Sequence, residues 1–520
     1  MGSLVNTKLK DESLQKLQHD PDTIVKNCFY LKDEHQSELK GPIDILIRDG
    51  IICEMGTFIE ANGSKTFDAS GLLAIPGLIN SHLHSPAAFL KGALVDAPLE
   101  IFMLRETPPT LKGFESPAIC RARALLSAVE MLKRGITAVH DDAFFNPSPS
   151  MDCINAIMGA YAEVGIRATV AIDQPELSEV EKYPFLGELL SKKLYTILSQ
   201  KPYMTGENLL KFYEKFITTW HGKYRGRINC AVSCSAPQRV SPDYLMALTS
   251  LSKEKDLPFN VHVLETRLQR VLGKKKFDKS LIQYLDDLGC LDERKQLIHT
   301  IWIDEDDITR ISDSGAVVAY NPISNLKIGS GVMPFHALKN AKVPICLGTD
   351  EAACDDTANL WGAMKTGANI QRISMREWSN WPSADELLGC VWNGGRKSFR
   401  NDSIGQLMPG AKADIAFLNL NALSFVPLND IRRQLVFCED GSSVKHVFVD
   451  GNLVVRDGKI SSIDEAEVFN EINEAFKEFQ PRLLEIETHA KKLEPYYRKM
   501  YEISLKEEIG MTRWLNNFPD

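Results

Sequence analysis

The chain has 520 residues, 44% hydrophobic and 25% charged, with a formal charge of -9 at neutral pH, which allows more than one globular domain and excludes a disordered or fibrous chain. The acidic balance, without a strong basic stripe, argues against nucleic acid or an anionic membrane as partner. Eleven scattered cysteines with no Cys-x-x-Cys pair, a polar N-terminus and no apolar run of membrane-spanning length predict a soluble cytoplasmic protein with reduced thiols.

In chain order, residues 1–24 read as a loose N-terminal tail. "DILIRDGIICEMG" (44–56) places two β-prone runs about Asp49-Gly50, a hairpin turn signal. Near the other end "VKHVFVDGNLVVRDGKI" (444–460) repeats the pattern at Asp450-Gly451 and Asp457-Gly458. Segments 25–72 and 405–464 are therefore expected to form one small composite β-sandwich domain. Between them, 73–404 alternates β-rich apolar runs with helical patterns. The runs are Leu73–Ile79, Thr137–His140, Ala168–Ile172, Ile228–Ser233, Pro258–Val263, Gln296–Ile301, Ala316–Tyr320 and Pro344–Gly348. Such alternation predicts an α/β fold with a parallel sheet, and eight runs suit a (β/α)8 TIM barrel. A doubly wound open sheet is the second choice, weakened because no Gly-x-Gly-x-x-Gly follows an early strand. The last segment, 465–520, reads as a helical extension whose stripe of Val468, Phe469, Ile472, Phe476 and Phe479 is a packing face.

In a (β/α)8 barrel, functional side chains stand at the C-terminal ends of the strands. The first run leads into "INSHLH", where His82 and His84, two apart, share one face of an extended segment. The fifth gives His262, followed by Glu265; the sixth gives His299; the eighth gives Asp350. Four of the eleven histidines thus fall at strand ends in one register. A chance placement of five such groups is a poor explanation. Three imidazole nitrogens and a carboxylate oxygen from His82, His84, His262 and Asp350 suit one divalent metal ion, zinc first and iron as the alternative. Such an ion lowers the pKa of a bound water. Glu265 is placed to carry protons beside it. His299 is either a hydrogen-bond partner of the water or oxyanion, or a further ligand. The fourth run, "RINCAVSCSAP", has no lysine to bridge two metals, which favours one.

These segments resemble a known family. "IPGLINSHLH", "VHVLE", His299, "NPISNLKIGSG" (321–331) and "LGTD" ending at Asp350 are similar to the metal-dependent amidohydrolase superfamily. The nearest likeness is its triazine hydrolase and S-adenosylhomocysteine deaminase branch, with guanine deaminase more distant. The likeness covers about residues 40 to 460 and includes "GQLMPGAKADIAFLNL". It implies a barrel with a composite β-sandwich, a homodimer, a small heterocyclic substrate and hydrolytic removal of an amino group from a purine, pteridine or triazine type of ring. Carried over, His82, His84, His262 and Asp350 match the metal ligands, Glu265 the proton shuttle and His299 the polarising histidine. Ring opening of a cyclic amide, dehalogenation and a non-catalytic scaffold are the alternatives.

Departures from the branch bear on the substrate. Gln238 in "SAPQRVS" stands where many members have a histidine, Glu351 replaces a frequent glycine, and Cys354 a common serine. Gln238, Arg239, Glu106, Cys354 and Asn325 are the expected substrate-binding residues.

Overall fold

The computed structural model describes residues 22–515, apart from 37, 61, 95, 112 and 114. Of the expected tail, residues 1–21 lie outside the described residues, and the first strand already begins at Thr23.

Both chain ends build one mixed sheet of nine strands. Thr23–Tyr30, Lys40–Arg48 and Ile51–Gly56 come from the first end, and Ile415–Asn419, Val444–Val449, Asn452–Arg456 and Lys459–Ile460 from the second. Leu72–Pro76 joins them, pairing with Ile415–Asn419 on one side and Thr23–Tyr30 on the other. The Asp49-Gly50, Asp450-Gly451 and Asp457-Gly458 turns all have both residues at positive φ, the two-residue geometry whose twist matches the flanking strands. Val25, Ile45, Ile47, Phe67, Phe417 and Phe448 form a separate small core for this sheet. The strands from the two chain ends are thus continuous in one hydrogen-bonded sheet.

The apolar run taken as the first barrel strand is two strands. Leu72–Pro76 belongs to the outer sheet, and only Leu78–His84 enters the barrel. The division falls at Gly77, where a Cβ would lie 2.1 Å from the Thr137 hydroxyl; only glycine lets the chain pass so close to the neighbouring strand.

The parallel barrel strands are Leu78–His84, Ile136–Phe144, Arg167–Asp173, Ile228–Cys230 with Val232–Ser233, Phe259–Val263, Lys295–His299, Val317–Tyr320, and Ile345–Leu347 with Asp350–Glu351. They are hydrogen-bonded as two five-stranded sheets. The fourth and eighth strands each break midway and give one half to each sheet, so Val232 pairs with Phe259 while Asp350 pairs back to Leu83. Helices between the strands start on side-chain caps: Ser116, Ser150, Ser241 and Thr266 each accept from a backbone N–H three residues on, satisfying donors a helix leaves open.

The C-terminal extension is a single helix, Glu465–Lys506, of 42 residues. Val468, Ile472 and Phe479 are buried, whereas Phe469, expected in the same stripe, is 42% exposed. Its position one residue after Val468 turns it about 100° off that face. Among the described residues no helix is long and apolar enough to cross a membrane.

At the N-terminal end of the barrel, Arg167 is fully buried. Its guanidinium donates twice to the Asp414 carboxylate, at 2.8 and 3.0 Å. Asp414 also accepts from the backbone N–H of Asp450 at 2.7 Å. One ion pair therefore ties the barrel to the outer sheet. Replacing Arg167 by Ala leaves Asp414 charged and dry. Arg167→Ala is expected to lower unfolding stability by about 3–5 kcal/mol, read from denaturant midpoints. A shift below one-fifth of that would show that the pair does not join the two units.

Candidate metal centre and substrate cavity

All strand-end residues singled out above meet at one place. The His82 and His84 rings lie 4.6 Å apart between centroids, as strand spacing requires. The His84 and His262 Nε2 atoms are 3.2 Å apart. Asp350 sits between the rings. Its Oδ1 is 3.5 Å from His82 Nε2 and 3.6 Å from His84 Nε2, and its Oδ2 is 3.6 Å from His299 Nε2. Glu265 Oε1 lies 3.7 Å from His299 Nε2. All six side chains are buried.

Backbone conformation brings them there. Ser235, Leu264, His299 and Asp350, at the ends of the fourth, fifth, sixth and eighth strands, have φ of 61°, 50°, 69° and 63°. For residues with a Cβ this left-handed region costs roughly 1–3 kcal/mol each. It turns the chain sharply at each of these positions; the Ser235 carbonyl then meets the His262 ring, and the His299 and Asp350 side chains join the centre.

Hydrogen bonds on the far side of three of the four rings fix their orientation. His84 Nδ1 donates to the Asp142 carbonyl at 2.5 Å and His262 Nδ1 to the Ser235 carbonyl at 2.8 Å, while His299 Nδ1 meets the Asn325 side-chain amide at 2.8 Å. In His84 and His262 this leaves Nε2 directed at the centre. Ser324 donates to Asp350 Oδ2 at 2.6 Å.

Electrostatics suit a cation. Burial pushes the His82 pKa down to about 4. Burial also opposes charge on His84, yet Asp350, Asp173, Asp142 and Glu106 together lift it to about 9. Burial likewise disfavours charge on Asp350, but the surrounding imidazoles hold it well below the usual carboxylate range. Burial raises Glu265 to about 7, with His299 and Arg239 pulling the other way. Neither nitrogen of His82 has a hydrogen-bond partner although both are buried. An unpaired buried nitrogen, two converging Nε2 atoms and a carboxylate in a negative field fit a divalent ion. Three triads close enough to hold a metal, His82/His84/Asp350, His82/His262/His299 and His84/Asp173/His262, share members and so describe one centre.

The centre forms the floor of a cavity of about 330 Å³. Among the residues expected to bind substrate, Glu106, Arg239 and Cys354 line it. Asn325 is not a lining residue; it acts on His299 instead. Gln238 is buried but also absent from the lining, because in the tight Pro237–Arg239 turn adjacent side chains diverge and Arg239 takes the inward place. Arg239 donates to Ser235 Oγ and to the Met103 sulfur, both at 3.1 Å. Asp173, overlooked in the sequence, also lines the cavity. It ends the third strand as histidines end the first and sixth and stand near the end of the fifth, and that shared register was the available signal. Glu351 lines the cavity too, and burial and the neighbouring Glu106 push its carboxyl well above the usual range.

The sequence profile of the Amidohydrolase family matches residues 73–454. The chain is 27% identical over 463 residues to a 5'-deoxyadenosine deaminase of Methanosarcina mazei, covering 89% of this chain and 99% of the relative. It is 28% identical over 447 residues to a 5-methylthioadenosine/S-adenosylhomocysteine deaminase of Pyrococcus furiosus, covering 86% and 98%. Among solved structures, the zinc complex of the atrazine chlorohydrolase of Arthrobacter aurescens superposes with a TM-score of 0.78 at 23% identity, covering 87% of this chain and all of that one. The profile spans well over half of the sequence, both barrel and site lie inside it, and the chain belongs to the amidohydrolase family.

Proposed function

We propose that this protein is a metal-dependent aminohydrolase that removes an amino group from a nitrogen-rich heterocycle, an aminopurine nucleoside first. His82, His84, His262 and Asp350 hold one divalent ion, zinc in preference to iron. The observation that carries the reading is Glu265. It is a buried carboxyl on the cavity wall with a pKa raised to about 7, able to give up a proton near neutral pH next to a cation site. The two deaminase relatives support an adenosine-type ring.

When bound, the ion would lower the pKa of a water and so supply the nucleophile for the ring carbon. Asp350, already charged and steadied by Ser324, accepts the proton of the attacking water. Glu265 delivers a proton to the adjacent ring nitrogen, so negative charge does not build up there. His299, anchored at Nδ1 by the Asn325 side-chain amide, offers its Nε2–H to the oxygen that becomes negative. Asp350 then returns its proton to the departing amine, and as the C–N bond breaks the adduct hydroxyl gives its proton back to Glu265. Burial of all these groups keeps bulk water out and strengthens each interaction. Dehalogenation is the second reading, favoured only by the fold shared with the chlorohydrolase; a halide would leave without the proton that Asp350 returns to an amine.

The direct test loads the purified protein with zinc and screens adenosine, 5'-deoxyadenosine, 5'-methylthioadenosine, guanine, a pterin and an aminotriazine for ammonia release. At least one aminopurine is expected to react. Release of chloride from a chlorotriazine, with no ammonia from any aminated ring, would replace deamination by dehalogenation.

His82→Ala and His262→Ala are each expected to lose bound metal, measured by elemental analysis, and nearly all turnover. Full metal content in either variant removes that residue from the ligand set. Glu265→Gln is expected to keep its metal while turnover falls about 10² to 10⁴-fold. If metal and activity fall together, Glu265 is a ligand and not a proton carrier.

A further inference from the structure

We propose that the C-terminal half of the helix Glu465–Lys506 is a positioning element for the substrate cavity, with Tyr497 and Glu494 as its positioning residues. The chemistry of the strand ends leaves this helix unused, yet its side chains reach the outer side of three segments that wall the cavity.

The first is the helix Leu99–Glu106. Arg105, largely buried, donates from Nε to Glu487 Oε2 at 2.9 Å and from its terminal nitrogen to Glu494 Oε2 at 2.7 Å. Its neighbour Glu106 lines the cavity. The second is the loop that follows, where Thr110, another lining residue, meets His489 Nδ1 at 2.7 Å. The third is the short helix Glu179–Lys182, which follows the third barrel strand. Tyr497, 1% exposed, donates its hydroxyl to Glu179 Oε1 at 2.5 Å, and Glu179 lines the cavity. The Tyr497 ring also meets Tyr183 edge-on, with centroids 5.5 Å apart.

A dry cluster joins these contacts. Ala490, Leu493, Tyr497 and Met500 pack with Ile101, Leu104, Leu186 and Leu198 as a core separate from that of the barrel. The spacing 490, 493, 497, 500 places all four on one helix face. The two acceptors for Arg105, Glu487 and Glu494, are two turns apart along the helix.

The N-terminal half of the same helix serves as an internal contrast. There Phe479 packs beneath Arg123, and Glu471 accepts from Arg121 at 2.7 Å. Both arginines belong to the helix Pro117–Lys133, none of whose residues lines the cavity. That half is a cover for the barrel; the other half sets the shape of the substrate pocket.

The kinetic arm of the test rests on the deaminase reading, and the structural arm does not. Tyr497→Phe keeps the ring and removes one hydroxyl; Glu494→Gln keeps the volume and removes one charge. In each, KM for the best substrate of the ammonia screen is expected to rise roughly three- to tenfold, the effect of one lost hydrogen bond, with kcat and zinc content unchanged. Glu471→Gln is expected to leave KM unchanged. Hydrogen exchange, read without substrate, is expected to quicken in peptides 99–111 and 179–189 of Tyr497→Phe and not in Glu471→Gln. Unchanged exchange in those peptides overturns the proposal even if no substrate is found. So does a KM rise of equal size in Glu471→Gln, or a fall in kcat that follows loss of zinc.

Discussion

One carboxylate shared among three imidazoles organises this protein. Asp350 stands within 3.6 Å of the Nε2 atoms of His82, His84 and His299, and it does so from a left-handed backbone position with φ of 63°. Ser235, Leu264 and His299 adopt the same costly conformation at neighbouring strand ends. Such strain persists only where the surroundings over-determine it. Here the surroundings are a parallel barrel with nearly every inward residue buried, so strands that carry the site cannot relax without opening the core.

The division of labour between the two ends of the barrel follows. At the N-terminal end the polar groups are closed on one another: Arg167 with Asp414, Asp414 with the Asp450 backbone, and Lys412 with Asp450 at 3.0 Å. Satisfied in this way, they hold the outer sheet in place and have nothing left for a ligand. At the C-terminal end the polar groups are left incomplete. His82 has no hydrogen-bond partner, and one oxygen of Glu106 and one of Gln174 are buried without one. Groups left so in a dry site are costly to the apoprotein and favour whatever supplies the missing partner.

The cavity is also unevenly charged. Glu106, Asp173, Glu265 and Glu351 gather around the floor with the single guanidinium of Arg239, while Lys182 and Lys201 stand among the other lining residues. The acidic field that raises His84 to about 9 is the field a divalent cation would enter. Carboxyl groups stand on most sides of this floor, able to accept from or donate to the edge of an amino-bearing ring.

Sequence alone determined the periodic and the local features. Alternating apolar runs and helices gave the parallel barrel, paired Asp-Gly turns gave the hairpins at both chain ends, and histidines at strand ends gave the candidate metal centre, because strand periodicity fixes which residues share a face. Tertiary structure decided what depends on approach between distant segments. That Leu73–Ile79 is divided at Gly77 followed from the closeness of Thr137. That Arg239 and not Gln238 faces the cavity followed from the course of one tight turn. Asp173 joined the site only once the third strand was seen beside His84 and His262. The long helix read as a plain extension, because its amphipathic spacing states that one face is buried but not against what. The contact of Tyr497 with Glu179 spans 318 residues of chain, and no local pattern encodes a meeting at that separation.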